Sequence, residues 1–184
     1  MGQKLLVRAL GRVELAVDGR PLVELASAKA TALLVYLAMT GTAQSRSALA
    51  GLLWSDLPEA TARANLRLVL TKLRRALPGQ VEADRQAVAL APGRPVWIDA
   101  LEVERLAAAT SEVEAGELLA AVRFCRGDLL DGFELPGAPL FDDWLVARRA
   151  TCRSAMAAPP SSVALTRTML GRGSPPAVGV GSST

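Results

Sequence analysis

Apolar positions in residues 57–77, LPEATARANLRLVLTKLRRAL, recur with the period of a helix. Leu66, Leu70, Leu73 and Leu77 form one stripe, widened by Val69 and Ala76. At about 100° per residue, Arg63, Arg67, Thr71, Arg74 and Arg75 gather on the adjoining arc, with Lys72 and Asn65 round the other side. Pro58 and Glu59 fall in the first turn, where a missing N–H does no harm and a carboxylate is favoured. Two shorter helices are predicted upstream. Ser27 caps one that runs through Met39, burying Ala30, Leu33, Leu34 and Leu37 and closing at Gly41. Ser45 caps the other, with Leu49, Leu52, Leu53 and Trp54 inward. Before them, residues 4–10, 13–17 and 20–25 read as strands, with Asp18-Gly19 as a hairpin turn.

After Pro78-Gly79 the pattern shortens again. Residues 81–83 and 87–90 form a hairpin about a polar turn at Asp84-Arg85, and Ala91-Pro92-Gly93-Arg94-Pro95 is a natural boundary. The order is a small N-terminal sheet, three helices and a C-terminal β-hairpin. It predicts an α+β winged helix-turn-helix over residues 1–95. Residues 100–109 and 113–124 are then amphipathic, with Leu101, Leu106, Leu118, Leu119 and Val122 as interior positions. A loop at 126–139 leads to a helix from Leu140 to about Cys152 through Phe141, Trp144 and Leu145. Residues 96–152 thus read as a partial all-α layer of helical-repeat type, which needs neighbours to cover its apolar faces. Residues 153–184, rich in Ser, Pro, Gly and Ala and without acid, read as a disordered low-complexity tail.

Charge sharpens this division. Residues 1–95 carry 13 Lys+Arg against 7 Asp+Glu, a balance of +6. Residues 96–149 carry 5 against 11, a balance of −6, and residues 150–184 add three Arg, giving the net +3 of the chain. A basic first unit beside an acidic second one suggests a polyanion-binding domain joined to something else. The chain has no His, which removes Ser-His-Asp triads, Cys-His pairs and His-containing zinc sites. Cys125 and Cys152 lack CxxC spacing and read as buried or incidental thiols, so neither a metal nor a cofactor is expected. There is no GxxxxGK[ST] and no HExxH, and Asp142-Asp143 diverge on a helix, so no enzyme is expected. Without a secretory h-region or an apolar run of about 18 residues, the chain reads as cytoplasmic.

A helix that packs by one face and offers guanidinium groups on another suits the major groove of double-stranded DNA. Arg67 and Thr71, near the middle of the arc, are expected closest to base edges, and Arg63, Arg74 and Arg75 nearer phosphates. Arg46, at the start of the second helix, is a further phosphate candidate, and Trp54 reads as core. The competing readings are an ordinary solvated helix face and a non-catalytic protein-interaction module. The acidic helical segment favours the latter.

Residues 52–77, LLWSDLPEATARANLRLVLTKLRRAL, closely resemble the winged-helix domain of the Streptomyces antibiotic regulatory proteins, which use an OmpR/PhoB-type fold. WIDALEVERLAAA (97–109) and RGDLLDGFELPGAPLFDDWLVARRA (126–150) resemble the opening of the bacterial transcriptional activator domain of that family. The resemblance covers roughly residues 1–150. It implies a four-stranded N-terminal sheet, three helices and a hairpin, followed by an α-helical tetratricopeptide-like domain. It also implies transcriptional activation from direct-repeat promoter sites, contact with RNA polymerase and a homodimer on DNA. Carried over, residues 58–77 are the recognition helix, and Arg85 at the wing tip is placed to reach the minor groove or a phosphate. The polymerase-facing loop is Trp54, Ser55, Asp56, Leu57 and Pro58. The unit begins near residue 4, so no receiver domain is expected before it. The match fades at 149–153, so the chain is expected to be a truncated or frame-shifted member, or an inactive fragment of a larger regulator.

Overall fold

The computed structural model describes residues 4–22, 25, 27–108 and 123–157. Strand β1 (Leu5–Arg8) pairs antiparallel with β2 (Glu14–Val17), which pairs with β3 (Arg20–Pro21) across the Asp18-Gly19 turn. Asp18 (φ 49°) and Gly19 (φ 78°) both take positive φ, as a two-residue type I′ hairpin requires. Helix α1 (Ala28–Thr40) follows, and its C-cap Gly41, at φ 66°, returns its N–H to the Leu37 carbonyl. Ser27 stands at the N-cap with extended backbone, but its side chain makes no capping bond, and its carbonyl takes the Thr31 N–H. Ser45 does cap: its hydroxyl oxygen accepts from Ala48 N at the start of α2 (Arg46–Leu53).

Helix α3 (Glu59–Ala76) turns Ala62, Leu66, Val69, Leu70 and Leu73 inward, close to the stripe expected from its spacing. The hairpin of β5 (Val81–Ala83) and β6 (Ala87–Leu90) is joined at its other edge by β4 (Gln44–Ser45). Strand β7 (Val96–Ile98) runs directly into α4 (Asp99–Ala108), and a long helix α5 (Pro139–Ala157) closes the described chain. The fold is a mixed α/β arrangement with two small sheets and, among the described residues, five helices.

Two features differ from the sequence expectations. The first sheet is four-stranded in the order β3-β2-β1-β7, so its fourth strand comes from residues 96–98, beyond the proline-glycine segment, and pairs parallel with β1. It is therefore not wholly N-terminal. Pairing between residues about 90 positions apart leaves no local signal. Secondly, α5 continues to Ala157, past the expected start of disorder at 153. The chain from Arg149 to Ala157 holds no glycine or proline to stop a helix, and Ala155 and Met156 pack on the core. The expected interior positions Leu118, Leu119 and Val122 lie outside the described residues.

The later segment is packed into the same core as the first. Leu5, Leu33, Leu53 and Leu66 share one buried cluster with Leu129, Leu130, Phe141 and Cys152. Trp144 meets Tyr36 of α1 edge-on at 5.0 Å and Phe141 at 5.2 Å. The loop before α5 returns to the end of β1: Leu130 N donates to the Ala9 carbonyl, Gly11 N to the Asp128 carbonyl and Asp131 N to the Gly11 carbonyl. Arg149 fixes the loop by donating to the carbonyls of Leu129 and Leu130, both at 2.8 Å, and Arg153 forks onto Asp128.

Asp99 holds the junction together. Its fully buried carboxylate accepts from the backbone N–H groups of Ala9, Leu10 and Ala100, at 2.8, 3.1 and 2.8 Å. Burial pushes its carboxyl above the usual range, against those three bonds and the Arg126 guanidinium 4.0 Å away. Replacing Asp99 with Ala leaves three N–H groups unpaired in a dry interior and is expected to cost roughly 2–4 kcal/mol. Asp99→Asn, which keeps an acceptor, should lose less. Urea unfolding followed by tryptophan fluorescence checks both, and equal stability of Asp99→Ala and the wild type would refute this role.

Candidate nucleic-acid interface

The buried stripe of α3 seats it on α2 and α1 and fixes which residues face out. Arg63, Ala64, Arg67, Leu68, Thr71, Lys72, Arg74 and Arg75 are all exposed. The start of α2 and the turn of the hairpin stand beside this face. Between them lies a cleft of about 420 Å³ lined by Ser45, Arg46, Ser47, Arg63, Leu66, Arg67, Arg85 and Gln86. Four arginines from three separate chain regions thus converge on one cleft with no acidic residue in its lining.

The guanidinium groups are not equivalent. Arg46 Nε donates to the Asp84 carbonyl at 2.7 Å, and Arg74 Nη2 to the Ala83 carbonyl at 2.7 Å. These two residues tie α2 and α3 to the first strand and turn of the hairpin and so set the position of Arg85. Arg63 pairs with Glu59 at 2.6 Å, one helical turn earlier, and both partners are more than half exposed. Among the described residues no carboxylate pairs with Arg67, Lys72, Arg75 or Arg85, which leaves them the most available cations of the face. The Thr71 hydroxyl donates to the Arg67 carbonyl at 2.9 Å, so its proton is used within the helix.

The hairpin turn is built by Asp84. Its Oδ1 accepts from Gln86 N and Ala87 N, both at 2.7 Å, which holds the chain in the bend that projects Arg85. These two bonds, first that from Ala87, hold its carboxyl below the usual value, with a smaller contribution from Arg46.

The loop at residues 54–58 divides in two. Trp54 is buried, with the Lys29 ammonium 5.6 Å from its ring centroid. Lys29 donates to the carbonyls of Leu53 and Pro136, and burial pulls its pKa down against the carboxylates of Asp56 and Asp142. Ser55, Asp56, Leu57 and Pro58 are exposed, and Asp56 sits so close to Gly137 that a Cβ there would lie 2.6 Å from its Oδ2. This loop is therefore backed by the segment that precedes α5.

Neither cysteine is in a disulfide. Burial, then Glu104, pushes the Cys152 thiol up to about 12, which makes it inert, and burial also raises Cys125. Among the described residues no group of His, Cys, Asp or Glu is arranged to hold a metal ion, and no helix is long and apolar enough to cross a membrane. Sequence reasoning passed over Leu68 and Asp84. Leu68 lies outside the apolar stripe when the helix is projected, which is the signal of its exposure. Spacing marks the Asp84-Arg85 turn only as polar and does not reveal the two bonds to Asp84 Oδ1.

No family model matches the chain, and no curated protein matches it either. Its fold is similar to that of Mycobacterium tuberculosis EmbR, solved in complex with a low-affinity phosphopeptide. The identity is 24%, the TM-score is 0.61, and the match covers 91% of this chain and 48% of that one. The chain thus spans about half the length of EmbR, and at this identity the likeness establishes the fold alone.

The Asp84 turn gives a pH dependence of definite sign. A carboxyl held below its ordinary value of 3.8 stabilises the folded turn fully above that value. The contribution is lost as the pH falls through the depressed folded value. The amide signals of Gln86 and Ala87 should therefore shift and exchange faster in that acid window, and in Asp84→Ala they should be fast throughout. NMR measurement of these two amides across an acid titration checks this, and pH-independent protection would refute it.

Proposed function

We propose that this chain is a sequence-specific double-stranded DNA-binding transcriptional regulator of the Streptomyces antibiotic regulatory protein type, acting as an activator. The carrying observation is the convergence of Arg46, Arg63, Arg67 and Arg85 on one acid-free cleft beside the exposed face of α3. In this reading residues 1–95 are a winged helix-turn-helix, α3 enters the major groove, and the hairpin is the wing that lies on the flanking backbone. Residues 96–152 form the opening of a tetratricopeptide-like activator domain. Arg67 and Arg75 are the principal cations on DNA. Arg63 joins them by exchanging Glu59 for a phosphate, and Thr71 stands at the base edges. Arg85 reaches the minor groove or a phosphate. Arg46 and Arg74 keep a share in phosphate binding, but chiefly hold the wing in place.

The partners in this reading are promoter DNA with direct repeats, bound by two copies of the chain, and RNA polymerase. The exposed residues Ser55, Asp56, Leu57 and Pro58 offer the polymerase a surface, while Trp54 anchors their loop from below. The EmbR-like fold supports this reading. A non-catalytic protein-interaction module is the second reading, favoured by the exposed Leu140 and Val146 on α5, at 51% and 66%.

Capture of genomic fragments by the full chain, beside Arg67→Ala/Arg75→Ala, tests the proposal. Discrete peaks with a shared direct repeat, lost in the variant, are expected. Each phosphate contact removed should lower the slope of log affinity against log salt by about 0.9, so the variant loses up to about 2. Even coverage that vanishes with salt would overturn sequence specificity. Folded protein with no capture at all would favour the interaction module.

A further inference from the structure

Leu68 is 64% exposed in the middle of the most cationic helix of the chain. It stands outside the buried set that seats α3, so the fold gives it no packing role. Ala64, Leu68 and Thr71 follow one another at i, i+4 and i+7, a single row on the outer surface of the helix. Because the Thr71 hydroxyl already donates to the Arg67 carbonyl, what Thr71 has left to offer a ligand is its γ-methyl and an oxygen that only accepts. The row thus presents a methyl or larger apolar group at all three positions. By helical projection Arg67 lies on one side of it, Lys72 on the other and Arg75 at its end.

An apolar row bordered by cations suits a surface that is anionic at its rims and carries methyl groups at its centre. The DNA major groove has phosphates along its walls, and thymine alone among the four bases places a 5-methyl group on its floor. We propose that Leu68, supported by Ala64 and the Thr71 methyl, reads thymine 5-methyl groups, so that the bound site carries thymine under the middle of α3. This inference rests on the DNA-binding reading and adds to it a determinant of base preference that no cation supplies. A methyl buried against Leu68 strengthens binding about fourfold, from the usual free energy of burying one carbon.

The test uses the full chain and a random-sequence duplex pool. Enrichment is expected to yield a site with thymine at one or two positions contacted by α3. The enriched duplex is then made with deoxyuridine in place of thymine at those positions, which removes only the methyl group. Wild type should bind the uracil duplex about fourfold more weakly per methyl, while Leu68→Ala should bind both forms alike and keep the wild-type melting temperature. Equal binding of the two duplexes by wild type would overturn the inference, as would an equal uracil penalty in Leu68→Ala. Enrichment of a sequence without methyl dependence overturns this inference alone, whereas enrichment of no sequence removes the DNA-binding reading and this inference with it.

Discussion

A single buried carboxylate sets the geometry on which the rest of the molecule depends. Asp99 stands where β7 becomes α4 and accepts the N–H groups at the exit of β1, while β7 itself pairs with β1 along the preceding residues. Strand, cap and helix start are therefore one connected unit. A buried charge contributes little to stability by itself, because its desolvation offsets its bonds. Two of its three bonds, from Ala9 and Leu10, form only where β7 lies beside β1, so they tie the junction to that one placement. The consequence is that the basic first part and the acidic second part share one hydrophobic core, although charge and composition divide them near residue 95.

That shared core separates the arginines into two groups. In the second part four of them are consumed structurally: Arg148 on Glu104, Arg153 on Asp128, Arg126 on Glu14, and Arg149 on two backbone carbonyls. The exposed pairs among these contribute little each. Arg149 differs, since its planar fork satisfies two carbonyls of a loop that folds back on β1. In the first part Arg46 and Arg74 act in a similar way on the hairpin. What remains for a polyanion is a smaller set than the sequence count suggests, centred on Arg67, Arg75 and Arg85.

The elements that could be read from sequence are those whose causes are local. The stripe of α3, the Asp18-Gly19 turn, the Ser45 cap and the Gly41 stop each depend on residues within one or two turns of one another. Strand β7 could not be read, because its partner lies about 90 residues away and only the folded chain brings them together. The length of α5 was misjudged for another reason: composition becomes Ser- and Ala-rich at residue 154, but neither residue stops a helix that already has a packed side. Of the site, the membership of the arc was legible from angular spacing. The engagement of Arg46 and Arg74 was not, since it depends on where the hairpin lies. Thr71 illustrates the same limit, because its hydroxyl is turned back to the helix by a bond that spacing does not reveal.

In the DNA-binding reading the outer face of α3 combines two kinds of interaction with different physical dependence. Guanidinium groups attract phosphates through counterion release, which weakens steeply with salt and carries no sequence information. Apolar side chains contribute through area removed from water, which is nearly independent of salt and sensitive to a single methyl group. A helix offering only the first would bind any duplex, and one offering only the second would bind none at physiological salt. Arg67, Arg75 and Leu68 place both on one surface, so that attraction and discrimination are separable by substitution at neighbouring positions. Ordinary solvation of a helix accounts for the arginines, and a single exposed leucine is common on protein surfaces. It is therefore a response to one methyl group, not the 64% exposure of Leu68, that separates the two interactions. In the proposed reading the leucine, rather than the charge, supplies the base preference.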